Sequence, residues 1–256
     1  QMAVIFTGLI ITFLIIVSSL PDNVSFQKAI ELAGVNNKMK ILDFSFDFEN
    51  RYTVWSGVIG GTFLALSYFG TDQSQVQRYL SGKSLKEMQI GMIFNGILKI
   101  PMQFFILLIG VMVFVFYQFN PSPLNFNPQA EIIVSQSTKA KEYSELKSSL
   151  EEVYYLKNEV TNEYLKDNKE FLIGEIKNLN EREKEIRDNA KKIIDEVSRN
   201  SAKKTESNDK DYVFISFILN NLPKGLVGLL IAVILSAAMS STASELNALA
   251  TTTTID

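Results

Sequence analysis

The 256 residues carry 25 Lys and Arg against 28 Asp and Glu, a formal net charge of -3, and 46% of them are hydrophobic. There is no Cys and no His, which excludes disulfides, thiolate nucleophiles, Cys/His zinc sites and every His-dependent triad. The charges crowd into the middle of the chain while the flanks are nearly uncharged; a globular enzyme mixes the two more evenly. The composition therefore points to an integral membrane protein, with no enzyme activity and no nucleic-acid partner expected. Gln1 is not an initiator, no cleavable signal pattern precedes the first apolar run, and Asp256 falls in a helical pattern. The sequence reads as a piece of a longer protein.

In chain order, residues 1–20 are uncharged and rich in Ile, Leu and Phe, about the length needed to cross a ~30 Å hydrocarbon core. Residues 21–51 form a loop, with a short amphipathic helix over Phe26, Ile30 and Leu32 that stops at Gly34, Asn36 and Asn37. A second span is predicted over 52–80, starting near Tyr52 with Trp55 as an interfacial anchor. Gly57, Gly60 and Gly61 within it fit either close helix contact or a break that exposes backbone. Arg78, Lys83 and Lys86 give the short 81–87 loop and its approach a positive charge, which places that loop in the cytoplasm. The third span, 88–118, contains Pro101 and Lys99. A lysine well inside such a run is costly and is expected to face the bundle interior and find a partner there.

Residues 119–211 form a long polar segment, placed outside by counting spans from the cytoplasmic loop. Within it, at about 139–199, two apolar stripes step by three or four. One is Leu146, Leu150, Val153, Leu156, Val160 and Tyr164. The other is Leu172, Ile176, Leu179, Ile186, Ala190, Ile193 and Val197, with Glu183 in the gap. They predict two helices packed antiparallel, a hairpin of coiled-coil character, either merely solvated or serving as an arm for a protein partner. Residues 212–256 hold an entry segment and a last span. There Ala237, Ser240, Ser241 and Ser244 fall at i, i+3, i+4 and i+7 and share one helix face. Such a face fits close packing of membrane helices, or a weak site for a hard monovalent cation built from neutral oxygens.

Two motifs go further. Residues 70–80, GTDQSQVQRYL, and 235–247, LSAAMSSTASELN, resemble the inner end of the sixth and the eighth core helix of the sodium/solute symporter family, the sodium–glucose cotransporter type. The resemblance covers about the whole chain except the hairpin, and makes the first span the end of the fifth core helix and the third span the seventh. It implies part of an all-α, leucine-transporter-like bundle of two inverted five-helix repeats, with an extramembrane hairpin added. The implied function is sodium-coupled uptake of a small polar solute, a sugar or an organic anion, by alternating access across the cell membrane. Sodium is the coupling ion, and the solute and the lipid bilayer are the other partners.

By the same resemblance the sodium ligands are the Ala237 carbonyl and the Ser240 and Ser241 hydroxyls, completed by the first core helix. Ser244 matches a second sodium site of some members, but Ala243 replaces one of its serines. Tyr68 matches an aromatic residue packed beside the solute, and Lys99 a lysine of the solute cavity. A galactose-binding member has Asn where this chain has Ala65, so that sugar contact is missing. Asp72 and Arg78 are read as structural charges near the membrane surface. The competing reading is a membrane sensor whose external hairpin receives a signal.

Overall fold

The computed structural model describes residues 2–40, 42–47, 53–80, 82–167, 169–201 and 204–255, except the side chains at 2, 3, 78–80 and 255. Tyr52, expected to open the second span, and the terminal Gln1 and Asp256 lie outside the described residues. The described chain is all-helical: α1 (Met2–Ser18), α2 (Phe26–Val35), α3 (Val54–Leu66), a π turn (Ser67–Thr71), α4 (Gln73–Leu80), α5 (Leu85–Phe119), α6 (Pro128–Ser135), α7 (Ala140–Asp167), α8 (Glu170–Asn200), α9 (Lys210–Asn221) and α10 (Lys224–Ile255). Two of these, over Leu85–Phe119 and Lys224–Thr254, are long and apolar enough to cross a membrane. The helix at the N-terminus is apolar but shorter.

The helices fall into two compact units. The first comprises residues 1–9, 40–108 and 225–256. Its entry helix α3 begins with a reciprocal cap: Ser56 N donates to Thr53 Oγ1 at 3.2 Å, and Thr53 N to Ser56 Oγ at 3.1 Å. The helix then runs unbroken through Gly57, Gly60 and Gly61, and among the described residues nothing lies within 4 Å of where their Cβ atoms would be. The break that these glycines suggested is not at their positions: the irregularity comes later, at Ser67–Thr71. Gly8 is the position that serves close approach, since a Cβ there would lie 2.9 Å from Leu230 Cδ2. Pro101 leaves α5 uninterrupted. Large apolar side chains such as Phe63, Leu64, Ile97 and Met239 remain more than 60% exposed in this unit.

The second unit comprises residues 10–39 and 109–224. Its core joins Tyr143, Leu150 and Val153 of α7 to Ile186, Ala190, Ile193 and Ile194 of α8, with Ala130 and Val134 of α6 and Leu124 beside them. Helices α7 and α8 run antiparallel, since Lys139 pairs with Glu196 while Lys157 pairs with Glu183. The predicted α7 stripe holds as far as Val153, is displaced around Leu156, and returns at Tyr164, which is buried as expected. Leu156 is 40% exposed, whereas Lys157 and Thr161 are buried. The α8 positions 172, 176, 186, 190 and 193 are buried as expected.

The hairpin is also tied to the rest of its unit. Tyr164 donates to Glu31 at 2.9 Å, Asn180 to Asn36 at 2.6 Å, and Tyr154 to the Phe119 carbonyl at 2.6 Å. Helix α2 starts at a Ser25 cap and ends at Asn36, with Asn37 in the left-handed region at φ 57° that an Asn tolerates. It buries Ala29, Leu32 and Ala33, while the expected Phe26 stays 43% exposed. Two polar strands of chain meet near the base of the hairpin: Asn125 donates to the Ser207 carbonyl, Asn127 to that of Glu206, and Phe126 N to Asp209.

Candidate functional site

The π turn sets the geometry of the site in the first unit. Asp72 N donates to the Ser67 carbonyl five residues back at 3.0 Å, and the Thr71 hydroxyl reaches the same oxygen at 3.0 Å. A single i→i+5 turn widens a helix by one residue, and such turns concentrate at functional sites. This one carries Tyr68. The Lys99 ammonium lies 5.8 Å from the centroid of the Tyr68 ring, near the outer limit of a cation–π contact. The Tyr68 hydroxyl donates to Gln75 Oε1 at 3.0 Å, and Phe69 packs edge-on against the ring at 5.0 Å. The two residues singled out for the solute path are thus neighbours. Lys99 finds an aromatic face rather than a carboxylate, and makes no ion pair among the described residues.

After the π turn the chain leaves the helix at Asp72, whose carboxylate caps α4 by accepting from Ser74 N at 3.0 Å. Ser74 is buried, and its hydroxyl lies 2.8 Å from Asp72 Oδ1 and 3.0 Å from Glu245 Oε1. One hydroxyl proton serves one of these acceptors at a time. A turn further on, Asn247 donates to Gln77 Oε1 at 3.0 Å. Helices α4 and α10 are therefore joined at two points, and the two sequence motifs, 170 residues apart at this bond, are adjacent in space. Ser74, Gln75 and Glu245 were not singled out in the sequence. Their place inside the two motifs was the only signal that hinted at them. The Arg78 side chain lies outside the described residues.

The serine face lies on α10, which is helical without interruption from Lys224 to Ile255. Ala237, Ser240 and Ser241 are exposed and Ser244 is half-buried. Ser244 donates back to the Ser240 carbonyl at 2.9 Å, and Thr242 to that of Ala238 at 3.0 Å. This is how hydroxyls settle in apolar helices. Because the helix is unbroken, a cation at Ala237 would share that carbonyl with the helix ladder. Among the described residues no group of three or more Asp and Glu side chains could hold a metal ion. In kind, the donors of this face suit a monovalent ion rather than a divalent one.

No protein-family model matches the chain, and no solved structure matches it. Curated proteins do. The human (Homo sapiens) sodium/iodide cotransporter is 32% identical over 91 residues, 36% of this chain and 14% of that protein. Sodium-coupled monocarboxylate transporter 2 of Mus musculus is 39% identical over 70 residues, 27% of this chain and 11% of that protein. Sodium-coupled monocarboxylate transporter 1 of Homo sapiens is 47% identical over 45 residues, 18% of this chain and 7% of that protein. Over these stretches the chain is homologous to sodium/solute symporters. The match spans 14% or less of the length of each of these symporters. They are transporters, not enzymes, and sodium is the coupling ion that their names give. Membrane-capable α5 and α10 accord with that kinship.

Proposed function

We propose that this chain is part of a multi-pass cell-membrane symporter that takes up a small anion with sodium by alternating access. The observation that carries the solute's charge is the Tyr68–Lys99 pair. An ammonium held over an aromatic ring 5.8 Å away, without a carboxylate partner among the described residues, keeps its charge for a ligand. The relatives named for iodide and for monocarboxylates support an anion over a sugar, as does Ala65 in place of the amide that a sugar-binding member uses. Tyr68 stands on the π turn, a local form that concentrates at functional sites.

In this reading the Ala237 carbonyl and the Ser240 and Ser241 hydroxyls supply three oxygens to sodium, and an inverted-repeat bundle supplies the rest from another helix. Sodium favours the outward-open arrangement by binding it more tightly, and the solute then favours closure; coupling requires that differential affinity. The exposed apolar side chains of the first unit are the surfaces that lipid and the remaining helices of such a bundle would cover.

A sodium titration of uptake by the full-length protein tests this. Ser241→Ala removes an oxygen with little volume, and a cation-bound hydroxyl is worth about 1–3 kcal/mol. The sodium needed for half-maximal uptake should rise roughly tenfold to hundredfold, with maximal uptake less affected. Ser244→Ala should change it only slightly, because Ala243 stands where the second sodium site of some members has a serine. An unchanged half-saturation in Ser241→Ala would return the serine face to plain helix packing.

A further inference from the structure

The second unit carries an open cavity of about 450 Å³ beside the hairpin. That size falls in the range of small-ligand sites, which combine apolar walls with a few placed polar groups. Part of its lining is apolar, from Val113, Phe114 and Tyr117 on α5 together with Phe126. Helix α8 contributes Lys184, Arg187 and Lys191, which recur at i, i+3 and i+7 and so share a face. With Lys38, Lys157 and Lys210 the cavity is lined by six cations against three carboxylates, Glu183, Asp188 and Asp209.

The carboxylates are already engaged. Glu183 holds the Lys157 ammonium at 2.7 Å and Arg187 Nε at 3.0 Å. Asp209 accepts from Phe126 N at 3.0 Å, and Asp188 stands 3.9 Å from Lys191. Arg187 is also fixed by the Ser122 hydroxyl and the carbonyls of Pro123 and Leu124, so it builds the wall rather than waiting for a ligand. Three cations remain. Lys184 and Lys210 make no ion pair among the described residues, and Lys38 has only the Phe114 ring, 4.9 Å from its ammonium. Gln118, 4% exposed, also lines the cavity, and its Oε1 has no hydrogen-bond partner among the described residues.

An unbalanced positive lining beside low-dielectric walls concentrates anions. The aromatic wall adds a requirement that a bare inorganic anion does not meet, and the orphaned amide oxygen asks for a donor. We propose that this cavity binds a small organic carboxylate. Its charge is met by Lys38, Lys184 and Lys210, its apolar body lies against Phe114 and Phe126, and a hydroxyl reaches Gln118. The site uses none of the residues assigned to transport, and the hairpin contributes much of its lining. It goes beyond the symport reading and gives the hairpin a receptor's role toward a soluble anion.

Calorimetric titration of the purified full-length protein in detergent with 4-hydroxybenzoate tests it. The wild type should bind, and 4-hydroxybenzamide, which keeps ring and hydroxyl but lacks the charge, should bind at least about tenfold more weakly, as loss of charge-assisted bonds requires. The double variant Lys184→Gln/Lys210→Gln, altered at two exposed positions, should lose affinity to a similar degree, and Gln118→Leu should lose part of it. Absence of heat with 4-hydroxybenzoate, equal binding of the amide, or undiminished binding by the double variant would each overturn the assignment. If Lys99→Ala alone abolishes binding, the carboxylate occupies the transport site and the cavity plays no part. If sodium-driven uptake fails while this binding survives, the symport reading falls and the cavity assignment stands.

Discussion

Lys157 and Glu183 sit where a helix seam normally carries apolar side chains. The lysine side chain is 6% exposed and the carboxylate 24%, with 2.7 Å between them. Burial alone would push the Glu183 carboxyl up. The charges of Lys157 and Arg187, and their hydrogen bonds, outweigh that and hold it below its ordinary value. Its contribution to stability is therefore present above the usual glutamate range and is lost as pH falls through the lowered value. Removing one partner leaves the other charge in the seam. Lys157→Met should cost about 3 kcal/mol, the low end for a broken buried pair, since Glu183 keeps some water contact. Replacing both, Lys157→Met with Glu183→Leu, should recover only part of the loss: two apolar groups of similar size fill the seam, but Arg187, 18% exposed, loses the carboxylate that holds its Nε at 3.0 Å. Thermal unfolding of the single and double variants measures this. A double variant no more stable than Lys157→Met would mean that the pair holds the two helices in a way that packing cannot replace.

At the scale of the element, the hairpin also answers to alkali. Tyr143 of α7 is 6% exposed, and burial, reinforced by the charges of Glu131 and Asp209, pushes its phenol up to about 12. In the unfolded chain a phenol ionises near 10. Between about pH 10 and 12 the unfolded chain has lost a proton that the folded one keeps, so stability falls with rising pH there and is unaffected by this group below. The unfolding midpoint should drop across that interval, and Tyr143→Phe should flatten part of the drop; an equally steep loss in the variant would place the cause elsewhere. The helices themselves were legible because their apolar residues repeat at the helical period. The seam at Leu156 and Lys157 was not. A straight helix drifts against a three-or-four step, and hydropathy selects Leu156 over Lys157 when the balancing Glu183 lies on another helix. In the same way the glycines of α3 suggested a break, whereas the π turn falls at Ser67–Thr71, where nothing in the composition marks it. The Tyr68–Lys99 contact could be anticipated as two roles but not as one contact, since cross-helix distances are invisible to spacing. The serine face was fully legible as a face, and spacing on a single helix says nothing about ligands from a second one.

For the whole molecule, the proposal of a multi-pass symporter makes a claim about sides. Helix α5 has 35 residues, about 50 Å at 1.5 Å per residue, which exceeds the ~30 Å hydrocarbon core and leaves room for ends in the headgroups. Lys83 and Lys86 lie at its start, and positive charge in a short loop stays in the cytoplasm. The hairpin follows its far end, and its many Lys and Glu residues do not bear on its side, because long polar segments cross largely regardless of charge. One crossing therefore separates Ser84 from Ser148, and both positions are exposed. The chain has no cysteine of its own, so single cysteines report without background. In a full-length protein freed of any other cysteines, Ser148→Cys should react with a membrane-impermeant maleimide in intact cells, and Ser84→Cys only after the membrane is opened. If both react from the same side, α5 is not a single crossing between them and the topology fails. The carboxylate cavity would then face the same compartment as the cytoplasmic loop, and its ligand would have to be sought inside the cell rather than outside.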